Sequence, residues 1–285
     1  MNNSFTLRLQ CDDRPGLVAH VAGYLAAHGC NITEAQQFDD VTNNRFFMRV
    51  KFVAGGDSSL ESLREGFSAA GSDMDLDWEI RDDSQRQKVV IMVSKFDHCL
   101  GDLLYRHHIG ELPMDVLGVI SNHPREALAV SSLRGVPFHH LPMAIGGKEA
   151  QEAEVKRLVR EGGADLVILA RYMQILSDDL AGFLSGRCIN IHHSFLPGFK
   201  GAKPYHQAHA RGVKMIGATA HYVTADLDEG PIIAQDTEVV SHADTAEDMV
   251  RKGRDIERQV LAGAVLAHLE GRVFLNQSRT VVFRS

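Results

Sequence analysis

Residues 88–94, Lys-Val-Val-Ile-Met-Val-Ser, form a continuous apolar run that decides the fold of the larger part of the chain. An unbroken run of this kind is typical of a strand buried on both faces of a parallel sheet. Comparable segments at 115–121, 165–170 and 188–192 are separated by stretches with helical periodicity. This order predicts a doubly wound, mostly parallel α/β domain, with ligands expected at the carboxyl ends of its strands.

Further elements complete this predicted domain, and the alternation of strand and helix stops after residue 214. They are helices at 124–133, 149–161 and 244–269, strands at 136–139, 216–223 and 232–239, and a closing hairpin at 273–283.

The N-terminal part of the chain carries a different pattern. Helical spacing of apolar residues starts at Leu17 and again at Leu60. The order βαββαβ predicts a ferredoxin-like unit of about 80 residues. Its strands are predicted at 5–10, 31–38, 45–53 and 76–80.

Charge is divided unevenly along the sequence and indicates a domain boundary. Residues 1–85 hold 14 acidic and 7 basic side chains, whereas residues 86–285 hold 23 of each. A polar stretch follows the last predicted strand of the first part. We therefore expect a first domain at 1–83, a linker at 84–88 and a second domain at 89–285.

Composition excludes several classes of protein. The 285-residue chain has no apolar run approaching the roughly 20 residues that cross a bilayer, and no N-terminal signal pattern. Without such a run we expect no membrane partner, and because the chain has no basic patch we expect no nucleic acid as partner. Its four cysteines, which argue against disulfides and favour a cytoplasmic location, are Cys11, Cys30, Cys99 and Cys188.

The end of the predicted strand 188–192 carries two polar side chains. On a strand Asn190 and His192 share one face, and Ile191 points to the other. An amide donor and an imidazole therefore converge where ligands are expected. A polar strand end satisfied by backbone groups remains the alternative interpretation.

Three acidic residues share a short loop that Gly230 and Pro231 close. Asp226 and Glu229 are expected in a solvated turn. Asp228 stands directly before the Gly-Pro pair that re-enters the sheet, so we expect it to be fixed against the strand ends.

These two segments together resemble the folate-dependent formyltransferase family. The pattern Asn-x-His-x-Ser-x-Leu-Pro occupies 190–197, and His-x-Val-Thr-x-x-Leu-Asp-x-Gly-Pro-Ile occupies 221–232. The resemblance extends over about 88–240, and the two-part motif is highly specific.

The resemblance implies a catalytic trio of Asn190, His192 and Asp228. Ser194 and His221 are expected to support it. The amide and a protonated imidazole would stabilise a tetrahedral oxyanion, and the carboxylate would orient water and accept its proton. Neither a metal nor another cofactor is expected. Adjacent histidine pairs rarely chelate a metal, since neighbouring side chains on a strand face opposite sides.

The family's pterin-binding segment falls on residues 170–176, Ala-Arg-Tyr-Met-Gln-Ile-Leu. By this resemblance, backbone groups and apolar side chains cradle the folate ring. The expected folate-binding residues are Met173, Gln174, Ile175 and Leu176.

The N-terminal unit resembles the ACT domain, a small regulatory module. The resemblance rests on 12–17, Asp-Asp-Arg-Pro-Gly-Leu, and on 29–32, Gly-Cys-Asn-Ile. It implies a homo-oligomer and an amino-acid effector whose carboxylate meets the amides that open the first helix. A domain that only mediates assembly remains the alternative. The expected effector-binding residues are Asp13, Arg14, Gly16, Leu17 and Asn31.

The acceptor of the formyl group follows from a departure from the family pattern. Residues 94–100, Ser-Lys-Phe-Asp-His-Cys-Leu, lack the glycines with which the glycinamide enzymes wrap a substrate phosphate. With the ACT-like unit and the segment 199–205, Phe-Lys-Gly-Ala-Lys-Pro-Tyr, this resembles the hydrolytic members of the family. Their activity would turn 10-formyltetrahydrofolate and water into formate and tetrahydrofolate, balancing one-carbon pools for purine synthesis.

Two other functions stay open at this point. One is formyl transfer to a small amine, although no acceptor site is visible in the sequence. The other is a non-catalytic regulator that binds folate or an amino acid, against which the intact trio argues.

Overall fold

The computed structural model describes residues 4–55, 59–130, 133, 135–143, 147–198 and 204–285. Of the segment 199–205, residues 199–203 therefore lie outside the described residues. No helix in the described ranges is both long and apolar enough to cross a membrane.

The chain divides into two compact units. The first contains the residues up to Arg86 together with Gly271–Phe274 and Val281–Ser285. The second contains Gln87–Glu270 and Leu275–Thr280. This division differs from the predicted domains, since two short C-terminal segments group with the N-terminal unit rather than with 89–285.

The first unit has the expected βαββαβ order. Its four-stranded antiparallel sheet runs β2-β3-β1-β4. Its elements are β1 (Ser4–Asp12), α1 (Leu17–Ala27), β2 (Asn31–Asp40), β3 (Arg45–Val53), α2 (Leu60–Asp73) and β4 (Asp77–Asp82).

Both faces of the first unit's central strands are covered. Phe5 and Leu7 of β1 pack with Val21 of α1 and Phe67 of α2 in the main core. Phe47 of β3 belongs instead to a small second cluster with Phe274 and Phe283. The C-terminal segments therefore join this unit because their two aromatic rings cover an otherwise open phenylalanine.

The second unit has a seven-stranded sheet in the order β11-β10-β9-β8-β5-β6-β7. The five strands from β9 to β7 run parallel, and β10 is antiparallel to both neighbours. Its strands are β5 (Gln87–Val93), β6 (Met114–Ser121), β7 (Phe138–His140), β8 (Leu166–Leu169), β9 (Cys188–His192), β10 (Met215–Tyr222) and β11 (Ile232–Val239).

Within the described residues, four α-helices lie between strands of this sheet in the chain, and a last long helix follows β11. They are α3 (His98–His108), α4 (Gly147–Gly162), α5 (Asp178–Phe183), α6 (Pro204–Arg211) and α7 (Ala246–Leu269). The closing hairpin consists of β12 (Val273–Asn276) and β13 (Arg279–Val282). The expected fold class, an ACT-like unit followed by a mostly parallel α/β unit, is confirmed.

Two expected elements differ in the structure. Of the helix predicted at 124–133, residues 131 and 132 lie outside the described residues; the described part contains a single 3-10 turn, Arg125–Ala127, after which Leu128 adopts an extended conformation. The Val130 amide donates to the Asp97 carboxylate at 2.6 Å, a long-range bond that replaces a helical one. The predicted linker 84–88 is also shorter, because Gln87 and Lys88 already belong to β5, where the Lys88 amide donates to Asp165 at 2.7 Å.

The aromatic cluster of the first unit gives a stability prediction. Phe274 meets Phe47 edge-on with 5.8 Å between ring centroids, and it is buried. We expect Phe274→Ala to lower the free energy of unfolding by about 3 kcal/mol, since it leaves a cavity in a packed cluster. Trp78, the single tryptophan of the chain, lies in this unit, so its fluorescence in a urea titration reports the change.

Val282→Ala is the matched control. Val282 is more than a third exposed beside the same cluster. It should change the unfolding free energy by about 0.5 kcal/mol or less. Equal midpoints for the Phe274 variant and the unmodified chain would contradict the packing role.

Candidate active site

The carboxyl end of β9 presents Asn190 and His192 on one face. The side chain of Ile191 is buried on the other face, as the two-residue strand period requires. β9 lies between β8 and β10 in the middle of the sheet, so its end is fixed on both sides. The predicted convergence of an amide and an imidazole is present.

The antiparallel partner β10 brings a second histidine to this position. In its register His221 lies opposite Asn190 and Thr219 lies opposite His192. The His221 Nδ1 is 2.8 Å from the carbonyl oxygen of Tyr222 and therefore carries the proton that it donates. Its Nε2 then accepts from the Asn190 side-chain amide at 3.2 Å.

Burial keeps His221 neutral. It lowers the pKa of the imidazole, although the bond to Tyr222 and the charge of Asp228 act in the opposite direction. A neutral ring retains its acceptor nitrogen, which holds the Asn190 amide with one of its two N–H groups. The second N–H of Asn190 remains available to a ligand.

Asp228 completes the group from the loop between β10 and β11. Its Oδ1 is 3.2 Å from Nδ1 of His192 and 3.8 Å from Nε2 of His221. Burial alone would raise the pKa of this carboxyl, but the His192 hydrogen bond and the surrounding imidazoles bring it below its usual value. The side chain is therefore a carboxylate at neutral pH.

The backbone around Asp228 is held in an unusual conformation. Asp228 has a φ of 58°, in the left-handed region that few residues other than glycine adopt. At Gly230 a Cβ would collide with the carbonyl oxygen of Tyr222. Only glycine fits there, so the Gly-Pro pair brings the chain back against β10 and fixes the carboxylate beside β9.

His192 retains one unused nitrogen. Its Nδ1 faces the Asp228 carboxylate, and its Nε2 is enclosed without a hydrogen-bond partner among the described residues. An enclosed polar atom of this kind is costly unless a ligand satisfies it. The trio therefore offers a ligand one amide N–H, one imidazole nitrogen and one carboxylate.

These groups line a cavity of about 260 Å³. Its wall also contains the predicted folate-binding residues Met173, Gln174, Ile175 and Leu176. A second cavity of about 330 Å³ shares the same four residues. Met173 and Ile175 are about half exposed, 48% and 62%, which is unusual for large apolar side chains and typical of a ligand surface.

A serine that sequence reasoning did not assign fixes this wall. Ser94, at the end of β5, accepts from the Met173 amide at 2.9 Å and donates to Asn122 at 2.7 Å. Its position after a buried strand was the only available signal, since its partner Met173 lies far along the chain.

A second polar cluster beside the cavity was also not predicted from the sequence. Arg171 lies 3.4 Å from the fully buried Glu257, measured from Nε to Oε2. Glu257 also accepts from Tyr205 at 2.7 Å and from Nε2 of His98 at 2.8 Å. Burial alone would raise the pKa of Glu257, but the His98 bond and the Arg171 charge hold it low.

Part of this cluster has the spacing of a metal site. Ligand atoms of His98, Cys99 and Glu257 lie within 4.8 Å of one another. Burial raises the pKa of the Cys99 thiol well above its ordinary value, and Arg171 already supplies a positive charge to the carboxylate. These groups therefore suit a metal poorly, and the absence of a metal from the reaction stays a prediction. All four cysteines are free thiols.

The remaining predicted residues lie elsewhere. Ser194 is buried and does not line the cavity, and its carbonyl oxygen accepts from Thr219 at 2.9 Å. In the first unit Gly16 has a φ of 95° and begins α1 without a side-chain cap. The Leu17 side chain is buried in the core, so only its backbone can face an effector, whereas Asn31 is exposed.

Two family models match the chain. The formyl transferase model covers residues 87–265, and the ACT domain model covers residues 5–65. The chain is 53% identical to the formyltetrahydrofolate deformylase of Corynebacterium sp. (strain P-1), over 98% of its own length and 97% of the relative's. It is 44% identical to that of Bacillus subtilis (strain 168), over 97% and 93%.

Solved structures give the same result. The formyltetrahydrofolate deformylase of Burkholderia mallei has a TM-score of 0.94 and 52% identity, over 99% of this chain and 100% of that one. The glycinamide ribonucleotide transformylase 1 of Symbiobacterium toebii has a TM-score of 0.66 and 31% identity, over 70% of this chain and 95% of that one. The full-length likeness, ACT unit included, means that the chain belongs to the formyltetrahydrofolate deformylase family.

Proposed function

We propose that this protein hydrolyses 10-formyltetrahydrofolate to formate and tetrahydrofolate. One observation carries the proposal. His192 pairs through Nδ1 with the Asp228 carboxylate and keeps an unpartnered Nε2, and it lines a cavity whose wall contains the predicted folate segment. Membership of the deformylase family supports the choice of substrate.

The reaction is the hydrolysis of an amide-like bond. The oxygen of water adds to the formyl carbon, and the carbonyl oxygen becomes the oxyanion of a tetrahedral intermediate. The bond from carbon to the folate nitrogen then breaks, that nitrogen receives a proton, and the carbonyl reforms. At neutral pH the products are tetrahydrofolate, formate and one proton.

Asn190 and His192 stabilise the oxyanion. The free N–H of Asn190 and a protonated Nε2 of His192 donate to it, while Nδ1 of His192 remains paired with Asp228. Donors that are already oriented cost no reorganisation during the reaction, and losing one typically slows a reaction by about 10²–10³.

Asp228 acts on the attacking water. Its carboxylate is ionised because its pKa is held below the usual value, so it can orient water and accept a proton directly or through a second water. The same carboxylate holds the His192 ring in orientation through its contact with Nδ1. His221 positions the Asn190 amide through the 3.2 Å contact. For Ser194 we propose a more distant supporting role, through its carbonyl oxygen, which accepts from Thr219 opposite His192.

The folate ring binds against residues 173–176. The exposed side chains of Met173 and Ile175 lose water when a ring covers them, which favours binding. The backbone of Met173 is already fixed by Ser94, so little order has to be gained on binding. No metal or other cofactor takes part in this scheme.

The cellular setting follows from the substrate. Tetrahydrofolate and formate feed one-carbon pools and purine synthesis, and we place the protein in the cytoplasm.

A small amine is the alternative acceptor of the formyl group. The first turn after β5 favours water, because Asp97 there is committed to the Val130 amide and the turn has no glycine before Gly101.

The acceptor can be tested directly. Purified protein with 10-formyltetrahydrofolate should release formate without any added amine, at a rate that glycinamide ribonucleotide leaves unchanged. Formate is measured with a coupled assay, and the Asp228→Asn variant controls for spontaneous hydrolysis. Turnover that starts only when an amine is supplied would identify a transferase instead.

The trio should act as one unit. We expect His192→Ala and Asp228→Asn each to lower kcat by roughly 10² or more, because each removes part of one charge arrangement. The double variant should be scarcely slower than the worse single variant. Binding of a folate analogue should stay nearly unchanged, since the ring contacts lie at residues 173–176.

Asp226→Asn is the matched control for Asp228. It removes a neighbouring carboxylate of the same loop and should leave kcat nearly unchanged. Fully additive effects in the double variant would mean independent roles. A kcat for Asp228→Asn near that of the unmodified enzyme would remove this carboxylate from the mechanism.

The first unit is proposed to mediate assembly and to bind an amino acid. β2 lies at an edge of its sheet, and the apolar side chains of Phe38 and Val41 at its end are exposed. The uncapped start of α1 at Gly16 offers backbone amides to a carboxylate near Asp13, Arg14, Leu17 and Asn31.

This assembly has a simple test. Light scattering at micromolar concentration should give a mass at least twice that of one chain, because a second copy covers the exposed edge. Phe38→Ser with Val41→Ser should shift the mass toward one chain, whereas the exposed Leu275→Ser should not. A monodisperse monomer for the unmodified protein would contradict the proposal.

A further inference from the structure

Arg171 is a buried cation that its own chain leaves incompletely satisfied. Its side chain is only 9% exposed, and Nε and Nη1 are enclosed without a hydrogen bond among the described residues. The contact with Glu257, at 3.4 Å, is an ion pair without hydrogen-bond alignment. Because a guanidinium stays charged in proteins, the cost of burying these N–H groups without acceptors is not removed by loss of a proton.

The backbone at Arg171 is also unusual. Its φ of 65° lies in the left-handed region, where a long side chain is disfavoured. Among the non-glycine residues that line the catalytic cavity, Arg171 and Asp228 share this conformation. Strained residues that are maintained by their surroundings cluster at ligand sites, which points to a role in the cavity.

Glu257 orients the Arg171 guanidinium but does not accept hydrogen bonds from all of its N–H groups. The carboxylate already accepts from the Tyr205 hydroxyl and from His98. Phe96 covers the guanidinium at 5.7 Å from the ring centroid. The guanidinium is therefore held in place with N–H groups still unused.

The position of Arg171 relates it to the trio. Leu169, the last residue of β8, pairs with Asn190 of β9, so Arg171 lies in the turn just beyond β8 and His192 at the end of the neighbouring parallel strand. Both line the same cavity, together with His193. Burial and the Arg171 charge lower the pKa of His193 to about 3, so His193 is neutral and Arg171 is the stronger anion-binding group there.

We propose that Arg171 binds the carboxylate of the formate product as it leaves the trio. This inference rests on the proposed hydrolysis, which creates a one-carbon carboxylate in this cavity. A planar carboxylate matches the parallel N–H groups of a guanidinium, and the small size of formate suits enclosed nitrogens. Arg171 thereby separates the new anion from the Asp228 carboxylate, which would repel it.

The primary test is product inhibition by sodium formate. In the unmodified enzyme formate should inhibit hydrolysis. In Arg171→Gln the inhibition constant for formate should rise at least tenfold, while KM for the folate changes less than threefold. Arg171→Lys should lie between them, since an ammonium lacks the planar fork. Arg157→Gln, on the exposed face of α4, is the control and should leave the inhibition constant unchanged.

A second measurement does not require turnover or a folded Arg171 variant. Formate alone should raise the melting temperature of the unmodified protein more than acetate or chloride at equal ionic strength, because an enclosed site selects by size. Equal effects of the three anions would overturn the proposal, as would an unchanged formate inhibition constant in Arg171→Gln. If formate raises the melting temperature selectively but the protein releases no formate from 10-formyltetrahydrofolate, the proposed hydrolysis is wrong. The anion site at Arg171 would then still stand.

Discussion

The antiparallel register between β9 and β10 is the constraint on which the site depends. It sets His221 opposite Asn190 and Thr219 opposite His192, so two histidines and an amide meet at one end of the sheet. A shift of one residue would turn each of these side chains to the other face of the sheet. On its other side β9 is held by the parallel strand β8. The loop after β10 returns to the sheet at Gly230, and this turn places Asp228 beside β9. Buried hydrogen bonds from Asn190 to His221, and from His221 to the Tyr222 carbonyl, restrict the rotation of these two side chains.

Much of this arrangement could be predicted from the sequence, because it follows from short-range rules. The continuous apolar runs identify buried parallel strands, and the two-residue strand period puts Asn190 and His192 on one face. The Gly-Pro pair marks the point at which a loop returns to the sheet, which singles out Asp228 from its two acidic neighbours. The specific two-part motif then adds the roles of these residues.

The rest depends on contacts between distant parts of the chain, for which local patterns carry no signal. His98 and Glu257, which share a hydrogen bond, are 159 residues apart. Ser94 holds Met173 across 79 residues. The helix expected after Pro124 is replaced by a turn because the carboxylate of Asp97 captures the Val130 amide. In each case a contact between distant residues determines the local structure or the side-chain partner, and the local sequence alone does not specify it.

The discontinuity of the first unit has a consequence for its biosynthesis. The ring of Phe47 is covered by Phe274 and Phe283, and the backbone oxygen of Arg284 accepts from Gln36 at 2.7 Å. A ribosome makes these C-terminal residues only after Gln87–Glu270, which form nearly all of the second unit. The N-terminal unit therefore leaves the ribosome with an uncovered aromatic surface and stays incomplete while the catalytic unit is translated. A nascent chain interrupted before residue 271 would carry every residue of the trio and still expose that ring to chaperones.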